Sequence, residues 1–193
     1  MKNRPFHDSW NSHQFPYLYC RGFSMKCKIG IRHSNLVFFY FMMRLLNITT
    51  GVSLLLSIAS ALFIDLFLAA RIPLLGSFVG LELSHNPGIA FGLRLPPVFQ
   101  EVLIGIALVI VAIIAVRSTR HPISRYPDIP MIAFGLILGG GIANIIDRIP
   151  DGLVTDFIQI GTFPTFNIAD SCITVGAALL LWEGWRQQKK KTM

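Results

Sequence analysis

The stretch TGVSLLLSIASALFIDLFLAA, residues 50–70, decides the class of this protein. Its only charge is Asp65. A helix rises about 1.5 Å per residue, so a run of about 20 apolar residues reaches across about 30 Å of hydrocarbon. Three more runs have similar character. The second covers residues 98–116 (VFQEVLIGIALVIVAIIAV), with Gln100 and Glu101 near its start. The third covers residues 130–146 (PMIAFGLILGGGIANII) and is short and rich in glycine. The fourth runs from Ile168 to Trp185, with Asp170 near its beginning and Glu183 near its end.

Composition agrees with this reading. The chain is 53% hydrophobic and 14% charged, with a mean hydropathy of +0.58. Soluble domains carry about 25% charged residues, so this chain lacks the charge to cover a surface in water. The fold class expected is all-α membrane: four transmembrane helices with a small extracytoplasmic β-containing segment. That segment is placed at 74–93 (LLGSFVGLELSHNPGIAFGL), which partly alternates apolar and polar residues and breaks at Asn86-Pro87-Gly88.

The net charge of +7 does not point to nucleic acid. Residues 1–42 hold six basic groups and one acid, Asp8, while the remaining 151 residues are nearly balanced. No nucleic-acid-binding motif accompanies the charge. Arg44, then Arg117, Arg120 and Arg125 with His121, then Arg186 and Lys189 to Lys191 flank the spans on one side. The positive-inside bias makes that side, and both termini, cytoplasmic. Residues 1–42 are expected to be a basic leader, disordered or upstream of a true start at Met43. Residues 43–193 form the four-span domain. Cys20, Cys27 and Cys172 match no disulfide framework.

Carboxylates are costly in a bilayer, about 2.5–3.5 kcal/mol at a helix centre, so their positions carry information. Asp65, Asp147, Asp156 and Asp170 come from four parts of the sequence and are expected at one membrane level, close to Asn86 and Asn144. Asp147 beside Arg148 also fits a plain ion pair at a helix end, and Asp65 a brace for a neighbouring helix. Asp156 and Asp170 sit among apolar residues with no basic neighbour in sequence, which is harder to explain structurally. Two aspartates close together in a low-dielectric pocket cannot both ionise cheaply. One keeps its proton while the other acts as a base. Such a pair can activate water against an amide. The parts of other hydrolytic sites are missing: there is no H-E-x-x-H, no phosphate loop and no nucleophile elbow, and neither a metal nor an organic cofactor is expected.

Four stretches together resemble the bacterial lipoprotein signal peptidases (signal peptidase II), an intramembrane aspartyl protease family with four spans. They are Asn86-Pro87-Gly88-Ile89-Ala90-Phe91, GGGIANIIDRI at 139–149, VTDFI at 154–158 and FPTFNIADSCITVGAALL at 163–180. The resemblance implies that Asp156 and Asp170 are the catalytic pair. It implies that Asn86 and Asn144 contact substrate, that Asp147 and Arg148 organise the site, and that Asn167 precedes the second catalytic acid. Asp65 matches the family's first-span aspartate. Leu66 and Arg71 stand where the family usually has Gln and Lys, and Pro87 follows Asn86 where Thr or Tyr is commoner.

The activity implied is removal of signal peptides from diacylglyceryl-modified prolipoproteins, with a cut before the lipidated lipobox cysteine. The setting is the bacterial inner membrane; the partners are membrane lipid and the lipid-modified substrate, and the enzyme acts as a monomer. The alternative from the residues alone is a small proton-coupled transporter or channel, whose acids should spread through the membrane thickness.

Overall fold

In a computed structural model of the chain, residues 33–88, 96–120 and 126–191 are described. The elements run α1 (His33–Phe67), β1 (Ile72–Leu75), β2 (Val79–Asn86), α2 (Pro97–Arg120), α3 (Asp128–Arg148), β3 (Val154–Ile160), β4 (Phe163–Phe166) and α4 (Ile168–Lys191). Most of the leader (1–32), the end of the 74–93 segment, and His121 and Arg125 lie outside the described residues. The chain divides into residues 1–39 and 40–193. Of the first unit only residues 33–39 are described, and all are helical.

Each expected span is helical, and the boundaries differ for local reasons. The leader boundary at residue 42 falls inside α1, with Met42 buried beside Leu46, Met131 and Phe134. The run 36–43 is too short to span alone, yet it joins the next apolar run and prolongs one helix N-terminally. At its other end α1 stops at Phe67, three residues short of Ala70, ahead of Ile72-Pro73, where proline disfavours helix at the preceding residue. Pro127 and Pro130 open α3, where their missing N–H groups cost little. Among the described residues three helices are long and apolar enough to cross a membrane: Leu36–Phe67, Val98–Arg120 and Asp128–Arg148. The fourth, α4, has 24 residues but carries Glu183, Arg186 and the lysines of its last turns.

The helices leave their apolar side chains outside. Leu55, Leu66, Val98, Val109 and Leu181 are all exposed, the reverse of a protein in water and the arrangement a hydrocarbon solvent favours. Small residues let the helices of residues 40–193 close on one another. A Cβ on Gly140 of α3 would stand 2.5 Å from the Ala169 carbonyl oxygen of α4, and one on Gly176 of α4 would stand 2.6 Å from the Ala133 carbonyl oxygen of α3. Backbones approach there because no side chain intervenes.

The sheet is larger than the expected segment. Its order is β1-β2-β3-β4, every pair antiparallel, so the connection between α3 and α4 contributes half of it. The stretch VTDFIQI is β-branched and aromatic in strand fashion, a signal obscured by reading it as an apolar stretch around an aspartate. Gly161, at a φ of 55°, makes the left-handed turn from β3 to β4. Phe157 of β3 packs with Ile64 and Leu68 and with partly buried Leu81, Leu83 and Ile168 in a second core under the sheet. That core fixes β3 against the ends of α1 and α4, and so sets where Asp156 lies.

Candidate active site

Side chains alternate faces along a strand, and this alternation sorts the acids. Ser84 stands opposite Asp156 in the β2–β3 register, His85 opposite Thr155 and Asn86 opposite Val154. Asn86 therefore shares a face with Asp156 and reaches it diagonally, donating from Nδ2 to Oδ2 at 2.9 Å. The orientation of the Asn86 amide is set by its own turn. Its Oδ1 accepts the Gly88 N–H at 2.8 Å, which leaves only the NH2 group to face the carboxylate. Pro87 sits in the middle of this Asx turn, where its restricted φ suits the bend.

Asp170 is held by two asparagines. Asn167 precedes α4 and caps it, its Oδ1 accepting the backbone N–H of Asp170 at 2.8 Å. The Asn167 Nδ2 then donates to Asn144 Oδ1 at 3.1 Å, and Asn144 Nδ2 donates to Asp170 Oδ1 at 2.8 Å. Asn144, Asn167 and Asp170 thus form a closed ring in which each amide has one possible orientation. Each of the two aspartates has one carboxylate oxygen pinned by an asparagine amide.

Asp156 is 1% exposed. Burial is the largest influence on its carboxyl and pushes it up to about 6 from an ordinary 3.8; the Asn86 hydrogen bond opposes this, and the negative charge of Asp170 adds to it. The Arg148 cation pulls the value back, and Asp147 raises it slightly. Asp156 Oδ1 is buried with no hydrogen-bond partner. An unpartnered buried carboxylate oxygen costs stability and is the atom free to take a water or a reacting group.

The structure separates residues that adjacency in sequence suggested were paired. Asp147 and Arg148 do not form an ion pair with each other, because neighbouring residues on a helix point about 100° apart. Asp147 Oδ2 accepts the Thr155 backbone N–H at 2.6 Å and so ties the end of α3 to β3. Arg148, 6% exposed, donates from Nη2 to the Gly88 carbonyl at 2.7 Å and from Nη1 to the Asn144 carbonyl at 3.3 Å. Asp65 shares no hydrogen bond with Asp156 or Asp170 among the described residues. Its Oδ1 meets His85 Nε2 at 3.4 Å, on the opposite side of β2 from Asn86, and both side chains are well exposed. Arg71 bonds Gln159 and the Ser77 carbonyl, bracing the sheet.

Two residues at the site were passed over as candidates. Glu101 Oε1 lies 3.5 Å from Arg148 Nε, and Gln100, 2% exposed, approaches the Pro87 carbonyl at 3.5 Å through Nε2. Their signal was visible as two adjacent polar residues near the start of an otherwise apolar span.

Fold and site together define a helical membrane protein in which a four-stranded sheet and the ends of two helices surround a buried aspartate. Comparison with known proteins narrows the class. Residues 48–186 match the family of signal peptidase (SPase) II, and the chain belongs to that family of proteases. It is 40% identical over 114 residues to a lipoprotein signal peptidase of Moorella thermoacetica, covering 58% of this chain and 72% of the relative. It is 38% identical over 122 residues to another from Chlorobium luteolum, covering 57% and 71%. A bacterial membrane enzyme solved by the in meso method at 2.3 Å shares the fold with a TM-score of 0.63 at 21% identity, over 83% of this chain and 93% of that one. A second, at 1.9 Å, gives 0.57 at 22% identity, over 78% and 92%.

Proposed function

We propose that this protein is an intramembrane aspartyl endopeptidase that removes signal peptides from diacylglyceryl-modified prolipoproteins, cutting on the amino side of the lipidated lipobox cysteine. Family membership supports the cleavage of lipoprotein precursors. The observation that carries the aspartyl chemistry is the state of Asp156: buried, pinned on one oxygen by Asn86, unpartnered on the other, and under the influence of Asp170.

The pair holds one proton between them at neutral pH. The ionised carboxylate takes a proton from water as the water oxygen attacks the carbonyl carbon before the cysteine. The other carboxylic acid gives its proton to the departing cysteine nitrogen as the C–N bond breaks. Acid and base exchange roles, and no other proton donor is needed. Asn86 and Asn144 hold the carboxylates in place and face the substrate; Asp147, Arg148 and Asn167 organise the elements that carry them.

The α4 helix, 24 residues long and hence about 36 Å, serves as the fourth span. With both termini in the cytoplasm by the Lys/Arg bias, the sheet lies at the outer surface of the bacterial inner membrane. The signal peptide is itself a membrane helix, enters sideways from the bilayer, and lies beneath the sheet while one copy of the enzyme cuts it. Asp156→Asn and Asp170→Asn each insert normally and stop cleavage of a lipidated lipobox peptide; full processing by either variant removes the proposal. Ion flux through liposomes that carry the protein tests the transporter reading.

A further inference from the structure

Arg148 is a buried cation whose neighbours come from every element around the carboxylates. Its Nη2 holds the Gly88 carbonyl and its Nη1 the Asn144 carbonyl. Gly88 in turn holds Asn86 through its N–H, and Asn86 holds Asp156. The guanidinium is thus one end of a chain of contacts that finishes on a carboxylate oxygen. What fixes that end is Glu101, at the start of α2, 3.5 Å from Nε. Glu101 Oε2 and Arg148 Nε are buried and have no hydrogen-bond partner of their own, so the pair rests on charge attraction rather than on bonded geometry.

We propose that Glu101 is a positioning residue for the aspartate pair: it anchors Arg148, and through Arg148 the turn at Gly88, so that Asn86 stays aimed at Asp156. The inference rests on the peptidase reading. Its physical basis is that a buried cation stripped of its counter-ion moves toward other negative charge. The charged groups facing Arg148 besides Glu101 are Asp156 on β3 and Asp170 on α4. Asp147, its neighbour on α3, also acts on Asp156. Without Glu101 the cation turns toward the two site aspartates and releases Gly88, so Asn86 loses its aim and Asp156 loses the hydrogen bond that holds its carboxyl down more strongly than the cation does.

The test uses the full chain in detergent with a synthetic diacylglyceryl lipobox peptide, following cleavage from pH 4 to 9. Glu101→Gln lowers kcat by roughly ten- to a hundredfold, the range for displaced reacting groups, with KM little changed. The acid limb of its pH profile moves to higher pH, as the lost Asn86 hydrogen bond requires. Glu101→Asp keeps the charge and restores the wild-type limb. A limb that stays in place in Glu101→Gln overturns the inference, whether or not kcat falls, because a purely structural defect would leave it unmoved. Should Glu101→Gln fail to insert, Glu101→Ala is read for the same shift. Absence of cleavage by the wild type, or cleavage by Asp156→Asn, overturns the peptidase reading itself and is told apart from the Glu101 result.

Discussion

Replacing Asp156 by asparagine should make the folded protein more stable while it ends activity. The carboxyl is raised from 3.8 to about 6 in the folded chain. Between those values the folded state binds more protons than the unfolded state, so stability falls as pH rises through that window and levels off above it. A difference of roughly two pH units at about 1.36 kcal/mol each gives a cost of about 3 kcal/mol at pH 7.5. Asparagine cannot ionise, and its Oδ1 can still accept from Asn86 Nδ2. The variant should therefore lose the decline between about pH 4 and 6. Thermal unfolding in detergent at a series of pH values reads this directly. Wild type and variant should be similar at pH 4 and diverge by pH 7.5, the variant being the more stable. Parallel curves across that range, or a variant less stable at pH 7.5, would refute the claim that burial strains this carboxylate.

Removing the Asn86 amide should act in the same chemical direction as removing Glu101. Its hydrogen bond holds the Asp156 carboxyl down, so Asn86→Ala moves the acid limb of the cleavage profile to higher pH, and an unmoved limb counts against the contact. Asn167→Ala removes the cap of α4 and one member of the ring around Asp170; it should cost about 1 kcal/mol of stability and lower kcat, checked by unfolding and by single-turnover cleavage. Gly140→Ala places a methyl 2.5 Å from the Ala169 carbonyl, next to Asp170; overpacking costs about 1–3 kcal/mol, and activity should drop more than in Gly51→Ala, where nothing lies near the added methyl. Asp65→Asn changes an exposed pair with His85, so cleavage chemistry should retain its wild-type pH profile; a shifted profile would show that Asp65 acts on the aspartate pair.

Much of this molecule is written along the chain. Runs of apolar residues near 20 long specify helices whatever surrounds them, because in hydrocarbon every backbone N–H and C=O must be satisfied within the segment. That is why α1, α2 and α3 are each built on one of the apolar runs, and why the short run 36–43 is helical where it merges with a longer one. Asp156 and Asp170 were legible as candidates because a charge among apolar residues is costly wherever it lies.

Proximity and orientation came only from the tertiary structure. Residues 154–160 became a strand because β2 was there to pair with it, and the register of that pairing put Asn86 on the face of Asp156 and His85, with Asp65, on the other. Asp147 and Arg148 are adjacent in sequence, yet a helix points them at different partners, one at β3 and the other at the Gly88 turn. Glu101 had no visible purpose until α2 and α3 packed side by side. Local sequence sets which groups are expensive to bury. Which of them meet depends on contacts between residues 23 to 81 positions apart, and no local pattern encodes those.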